Sequence, residues 1–119
     1  MGRFSDDLFN RIELAVDRTI QMALALPSNV AGWEIGKQVI RSAGSVGANL
    51  EEAQGTLTAK DFMHKVSLSL REGRETLYWI RRIERNSLLS TRRLAGLKKE
   101  WDEIVAMLTT TQKRLRSRE

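Results

Sequence analysis

Apolar positions recur every three or four residues along most of the chain, the spacing of amphipathic helices rather than the alternation of strands. Short turn signals divide the pattern into four stretches. The first opens on the capping Ser5 with Asp6 and Asp7 and runs to about Leu26, with Leu8, Ile12, Ala15, Thr19, Met22 and Leu26 along one face. Leu26-Pro27-Ser28-Asn29, which holds the only proline, breaks it. The second starts between Asn29 and Gly32 and reaches about Gln54, with Trp33, Gly36, Val39, Ile40, Ala43, Val46, Gly47 and Leu50 expected inside and Gly55 as its stop. Thr58 caps the third, with Asp61 as a short-armed capping-box partner, and Phe62, Val66, Ser69, Leu70, Gly73, Leu77 and Ile80 form its inner face. The fourth begins at Ser90 or Thr91 and carries Leu94, Leu97, Trp101, Ile104, Leu108, Thr111 and Leu115 in alternating steps of three and four. That seven-residue repeat predicts near-parallel, coiled-coil-like packing.

Short connections between helices of similar length make chain neighbours antiparallel, so the pattern predicts an all-α, antiparallel up-down four-helix bundle, one domain over residues 1–119. The third helix has more apolar surface than one core requires. Leu68, Trp79 and Ile83 fall off its inner face with Tyr78 beside them, and Gly44 on the second helix faces away from the core. A helix apolar on two sides is usually covered on two sides, so these residues are the expected self-association surface. The competing reading is a Tyr78-Trp79 pair half exposed on a monomer.

Composition narrows the chemistry. With no cysteine, the chain has no disulfide framework, thiolate metal site or cysteine nucleophile, which suits a reducing cytoplasm. Residues 1–7 turn acidic where a secretory signal would turn apolar, and no apolar run approaches the ~20 residues of a membrane span, so a cytoplasmic protein without membrane contact is expected. His64, the sole histidine, falls outside the inner face and has only Asp61 at metal-ligand spacing before it. No nucleophile-histidine-acid motif and no glycine loop followed by lysine occurs. The expectation is therefore no catalytic residue, no cofactor and no metal.

Two helical stretches stand out. In Arg41-Ser42-Ala43-Gly44-Ser45-Val46-Gly47-Ala48-Asn49-Leu50-Glu51-Glu52, glycines inside a helix each cost roughly 1 kcal/mol and so imply a close neighbour. Ser45, Asn49 and Glu52 make a polar row along the edge of the buried face. In Arg71-Glu72-Gly73-Arg74-Glu75, the charges suggest an ion-pair and hydrogen-bond network that fixes helix register. Paired acid-base carboxylates, Glu52 and Glu75, are the catalytic alternative.

The net charge of +5 is uneven: six Lys/Arg meet seven Asp/Glu in residues 1–60, but fourteen meet eight in residues 61–119. Cations ending a helix suit its dipole, but Arg92 and Arg93 open the fourth helix, where the dipole opposes them. With Arg81, Arg82, Arg85, Lys98 and Lys99 they concentrate positive charge at one hairpin end, a candidate contact for RNA or DNA phosphates.

The run from Val39 through Gly55, then Lys60-Asp61-Phe62, then Leu70 through Ile80, resembles the bacterial four-helix-bundle family of 23S rRNA-intervening-sequence proteins. The Arg-Ser, Ser-Val, Asn-x-x-Glu and Arg-Glu-x-x-Glu-Thr elements stand in that family's order and spacing, over helices two to four and more loosely helix one. Glu51-Glu52-Ala53 departs from the family's usual alanine, glutamate and glycine, so Glu52 is the matching acid. The resemblance implies a homopentameric ring and kinship with the basic accessory subunits of diversity-generating retroelements, and it places Arg41, Ser45, Asn49, Glu52, Arg71 and Glu75 in a shared motif without giving them an activity. The leading expectation is a non-enzymatic oligomeric scaffold that contacts RNA or a nucleoprotein partner through the basic end. Its alternative is a protein-binding adaptor without nucleic-acid contact.

Overall fold

The computed structural model describes residues 5–118. Residues 1–4 lie outside them, so the acidic turn read at the N-terminus is described only from Ser5 onward. Four helices follow: α1 (Asp6–Leu24), α2 (Val30–Gln54), α3 (Ala59–Arg85) and α4 (Thr91–Arg116). Each starts at a polar residue in extended backbone whose side-chain oxygen accepts from the N–H three residues on: Ser5, Asn29, Thr58 and Ser90, at 3.2, 2.9, 3.1 and 3.1 Å. Such a cap satisfies a donor that the helix itself leaves unpaired, worth about 1 kcal/mol.

The helix ends depart from expectation. Leu26 lies two residues beyond α1, half-buried against Gly36. Gly55 does close α2, but at φ −96° it makes no use of glycine's left-handed freedom. The left-handed turn falls instead after α3, at Ser87 with φ 54°, where Ser87 N–H donates to Glu84 O and Leu88 N–H to Ile83 O. That bonding closes the last carbonyls of α3 as a Schellman turn with serine in the position glycine normally takes.

α2 packs on α1 and α3, and α4 on α3 and α1, while among the described residues the backbones of α1 and α3, and of α2 and α4, do not approach one another closely. The result is an antiparallel up-down four-helix bundle, 46 Å long and about 20 Å across, in which the α1–α2 and α3–α4 turns share one end. The core is one cluster of side chains along the bundle, in which Trp101 is the largest fully buried side chain and Ile12, Leu50, Leu70, Ile80, Ile104 and Leu108 are also fully buried. Buried polar groups are paired across the seams: Trp101 Nε1–H donates to Thr19 Oγ1 at 2.8 Å, Thr76 Oγ1–H to Ser42 Oγ at 2.9 Å and Ser69 Oγ–H to Val46 O at 2.8 Å. The last two peg α2 to α3 in a single register, because a slip would leave them unpaired inside.

Three predicted positions are corrected. Trp33 and Ile40 are 59% and 36% exposed rather than inside. The buried line of α2 runs through Gly32, Gly36, Val39, Ala43 and Val46, and each of the two large residues sits one position, about 100°, past it. Gly32 holds that line because the Pro27 carbonyl crosses it, on the spot where a Cβ would stand. Ile83, expected on an outer face, is fully buried. It continues the steps of Thr76 and Ile80 and belongs to the core.

Candidate nucleic-acid interface

The outer side of α3 is set by its buried side. With Ser69, Leu70, Gly73, Thr76, Leu77, Ile80 and Ile83 turned inward, helical geometry puts Arg71, Arg74, Tyr78, Arg81, Arg82 and Arg85 within an arc of roughly 100° on the opposite side, over about 21 Å of axis. All are exposed except Arg82, which is half-buried. On α4, Arg92 and Lys99 stand seven residues apart on one side. None of these seven cations makes an ion pair among the described residues.

The hairpin-end set expected from the sequence is therefore divided. Arg81, Arg82, Arg85, Arg92 and Lys99 keep uncompensated charge around the α3–α4 turn. Lys98 does not, since its Nζ donates to Glu84 Oε1 at 2.9 Å, which holds the Glu84 carboxyl below the usual range. Arg93 turns to the other side of α4, lining a groove with Leu14, Asp17, Arg18 and Leu97. Sequence reasoning leaves Arg71 and Arg74 out of the basic set, although the spacing 71, 74, 78, 81, 85 carries the signal.

The motif residues also separate into groups. Arg41 on α2 donates to Glu72 at 3.2 Å and to Glu75, and Trp79 Nε1–H donates to Glu75 Oε2 at 3.0 Å. The indole hydrogen bond, then the Arg41 bond, hold the Glu75 carboxyl below the usual range, and the bond to Glu75 raises Arg41. Asn49 Nδ2–H donates to Ser45 O and Oγ at 2.8 and 3.1 Å, within α2. Glu52 pairs with Lys65 of α3 at 2.6 Å. Arg71 makes no hydrogen bond or close ion pair with these groups and stays on the outer face, although its charge adds to what holds the Glu75 carboxyl down. Glu52 lies eleven residues from Arg41 on α2, about 16 Å along the axis, so Glu52 and the Arg41-bound Glu75 do not meet as an acid-base pair.

The expected self-association residues behave unequally. Trp79 packs against the core and ties its N–H to Glu75, Leu68 is half-buried, and Tyr78 is 45% exposed. Gly44 is open, with nothing within 4 Å of where a Cβ would stand, whereas a Cβ on Gly47 would lie 2.9 Å from Glu13 Oε1 of α1. Gly47 thus serves the α1–α2 seam and Gly44 does not. His64 is exposed. No cluster of three or more acidic, histidine or cysteine side chains suited to a metal occurs among the described residues, and no helix there is long and apolar enough to cross a membrane.

The order of these elements is shared with known proteins. The family model of the 23S rRNA-intervening sequence protein matches residues 8–110. The chain belongs to this family. The match takes in all of α2 and α3 and so includes both the Arg41–Glu75 network and the arginine row. A crystal structure of a protein of unknown function from the S23 ribosomal protein family of Bacteroides thetaiotaomicron has the same fold, at a TM-score of 0.83 with 24% identity over 89% of this chain and 98% of that one. No curated protein matches the chain.

Proposed function

We propose that this 23S rRNA-intervening sequence family member is a non-enzymatic oligomeric scaffold of the cytoplasm that contacts RNA or a nucleoprotein partner through the cationic surface of its α3–α4 hairpin. The observation that carries the reading is the row of cations without ion pairs, Arg71, Arg74, Arg81, Arg82 and Arg85 on α3 with Arg92 and Lys99 beyond the turn. Elsewhere in the bundle, cations at the helix seams are tied up: Arg11 to Glu100 and Glu103, Arg41 to Glu72 and Glu75, Lys65 to Glu52. Cations spaced closely along one helix face without carboxylate partners attract phosphate backbones without reading sequence.

Titrating the protein into a labelled structured RNA and a matched DNA duplex at several salt concentrations tests this by anisotropy. Affinity should fall steeply with salt, and Arg85→Glu with Arg92→Glu should weaken binding and flatten that dependence at unchanged helicity. Arg93→Glu, on the other side of α4, should matter less. Unaltered binding in the double variant would sink the proposal.

A protein-binding adaptor is the second reading, and the outer stripe of α2 favours it. Trp33, Ile40 and the open Gly44 lie along one line there. The same line is the better candidate for self-association now that Ile83 and Trp79 are engaged within the subunit; a ring of five rests on the family resemblance. A partner recovered by pull-down that survives nuclease treatment would favour the adaptor.

A further inference from the structure

Among the exposed large apolar side chains, Tyr78 alone lies on α3, in the middle of the arginine row. Its ring meets Trp79 edge-on, centroids 5.0 Å apart at 79°, and carries the Arg82 guanidinium 5.1 Å from its centroid. Trp79 is itself fixed through Glu75 to Arg41 of α2. The phenol ring is thus braced from two sides while still 45% exposed. Arg82 Nε is buried without a hydrogen-bond partner, so this cation is seated by the aromatic ring and not by a carboxylate, and its charge stays uncompensated.

A surface kept basic only for solubility gains nothing from an aromatic ring in its centre. A second copy meeting the row with its own α3 would set arginine against arginine, and in a ring, where unlike faces meet, the facing surface would have to supply the acidic partners. A strand with unpaired bases fits both features, because flat bases stack on aromatic rings and guanidinium planes while the phosphates between them meet cations. A duplex offers this face only its phosphates, its bases being stacked inside.

We infer that the outer face of α3 binds unpaired nucleic-acid strand, one base stacking on Tyr78 beside the Arg82 guanidinium and flanking phosphates lying on Arg74, Arg81 and Arg85. The inference rests on the nucleic-acid reading above and narrows it to a substrate class.

The full chain is titrated into fluorescein-labelled 20-nucleotide oligo(U) and oligo(dT) and into a duplex of the same length, at two salt concentrations, with circular dichroism confirming the fold of each variant. Single strands should bind more tightly than duplex. Tyr78→Ala should weaken single-strand binding roughly tenfold, the scale of one lost base–aromatic stack, and leave duplex binding unchanged, while Tyr78→Phe keeps both. Equal affinity for strand and duplex, or Tyr78→Ala acting on neither or on both alike, overturns the stacking inference; the scaffold reading survives if Arg85→Glu with Arg92→Glu still weakens binding. Absence of binding to any oligonucleotide at low salt defeats both. A fall in assembled mass in sedimentation for Tyr78→Ala would mean that another copy covers the ring, and overturns the inference as well.

Discussion

Ser87 bears a strain that its neighbours define. A side chain at φ 54° sets Cβ against the following carbonyl, and an L-residue other than glycine resists this by about 1 kcal/mol. The Schellman bonds from Ser87 and Leu88 hold it there. Ser87→Gly should therefore raise the stability by about 1 kcal/mol, seen as a higher urea midpoint at an unchanged slope, and should leave the cationic surface as it is. A drop in stability would mean that the serine hydroxyl contributes more than the strain costs.

At the scale of an element, α2 offers a comparison of two glycines. Gly44→Ala adds a methyl to open space and should stabilise an isolated subunit by roughly 0.5–1 kcal/mol through helix propensity. Gly32→Ala drives the same methyl into the Pro27 carbonyl and should lower the thermal midpoint markedly, because backbone must move to admit it. Thermal melts of the two variants side by side check both directions. The seams between elements carry a pH signature. Glu75, held by Trp79 and Arg41, and Glu100, held by Arg11, both have carboxyl pKa values depressed in the fold. Groups of this sign add stability that is complete above the unfolded glutamate value, about 4.3, and is lost as pH falls through the folded value. Urea midpoints should then be flat from about pH 8 to about 5.5 and decline below about 4.5, and Glu75→Gln with Glu100→Gln should make the acid limb shallower.

Much of this element scale is written in the local pattern. Capping residues and three-four spacing depend on neighbours within two turns, so Ser5, Thr58, Ser90, the inner residues of α3 from Phe62 to Ile80 and those of α4 from Leu94 to Leu108 stand where the sequence puts them. Trp33 is misplaced by the pattern because bulk argues for burial, whereas its position is decided by the Pro27 carbonyl crossing Gly32, a contact between separate segments. Ile83 is misplaced because its neighbours Arg82 and Glu84 give the end of α3 the composition of a surface. The candidate interface is half legible: the arginine spacing can be read along α3, but that Glu84 neutralises Lys98 and that Arg93 turns toward α1 depends on how α4 is rotated.

For the whole molecule, on the proposed reading, the outer line of α2 and the outer face of α3 divide the labour of contact, one apolar and small, the other cationic. Trp33→Glu should reduce the assembled mass seen in analytical ultracentrifugation and leave the helical spectrum intact, since the side chain is 59% exposed in the subunit. Retention of the assembled mass would move the subunit interface off α2.

Three of the four seams join helices that follow one another in the chain, and only the α1–α4 seam joins its two ends. That seam is also the thinnest, pinned by Arg11 on Glu100 and Glu103 and by the Trp101–Thr19 hydrogen bond. Hairpins of consecutive helices close short loops, whereas α1 on α4 closes nearly the whole chain, at a higher entropic cost and for fewer contacts. Opening is therefore expected to begin at the α1–α4 seam, and amide hydrogen exchange should show its facing residues protected less than those between α2 and α3.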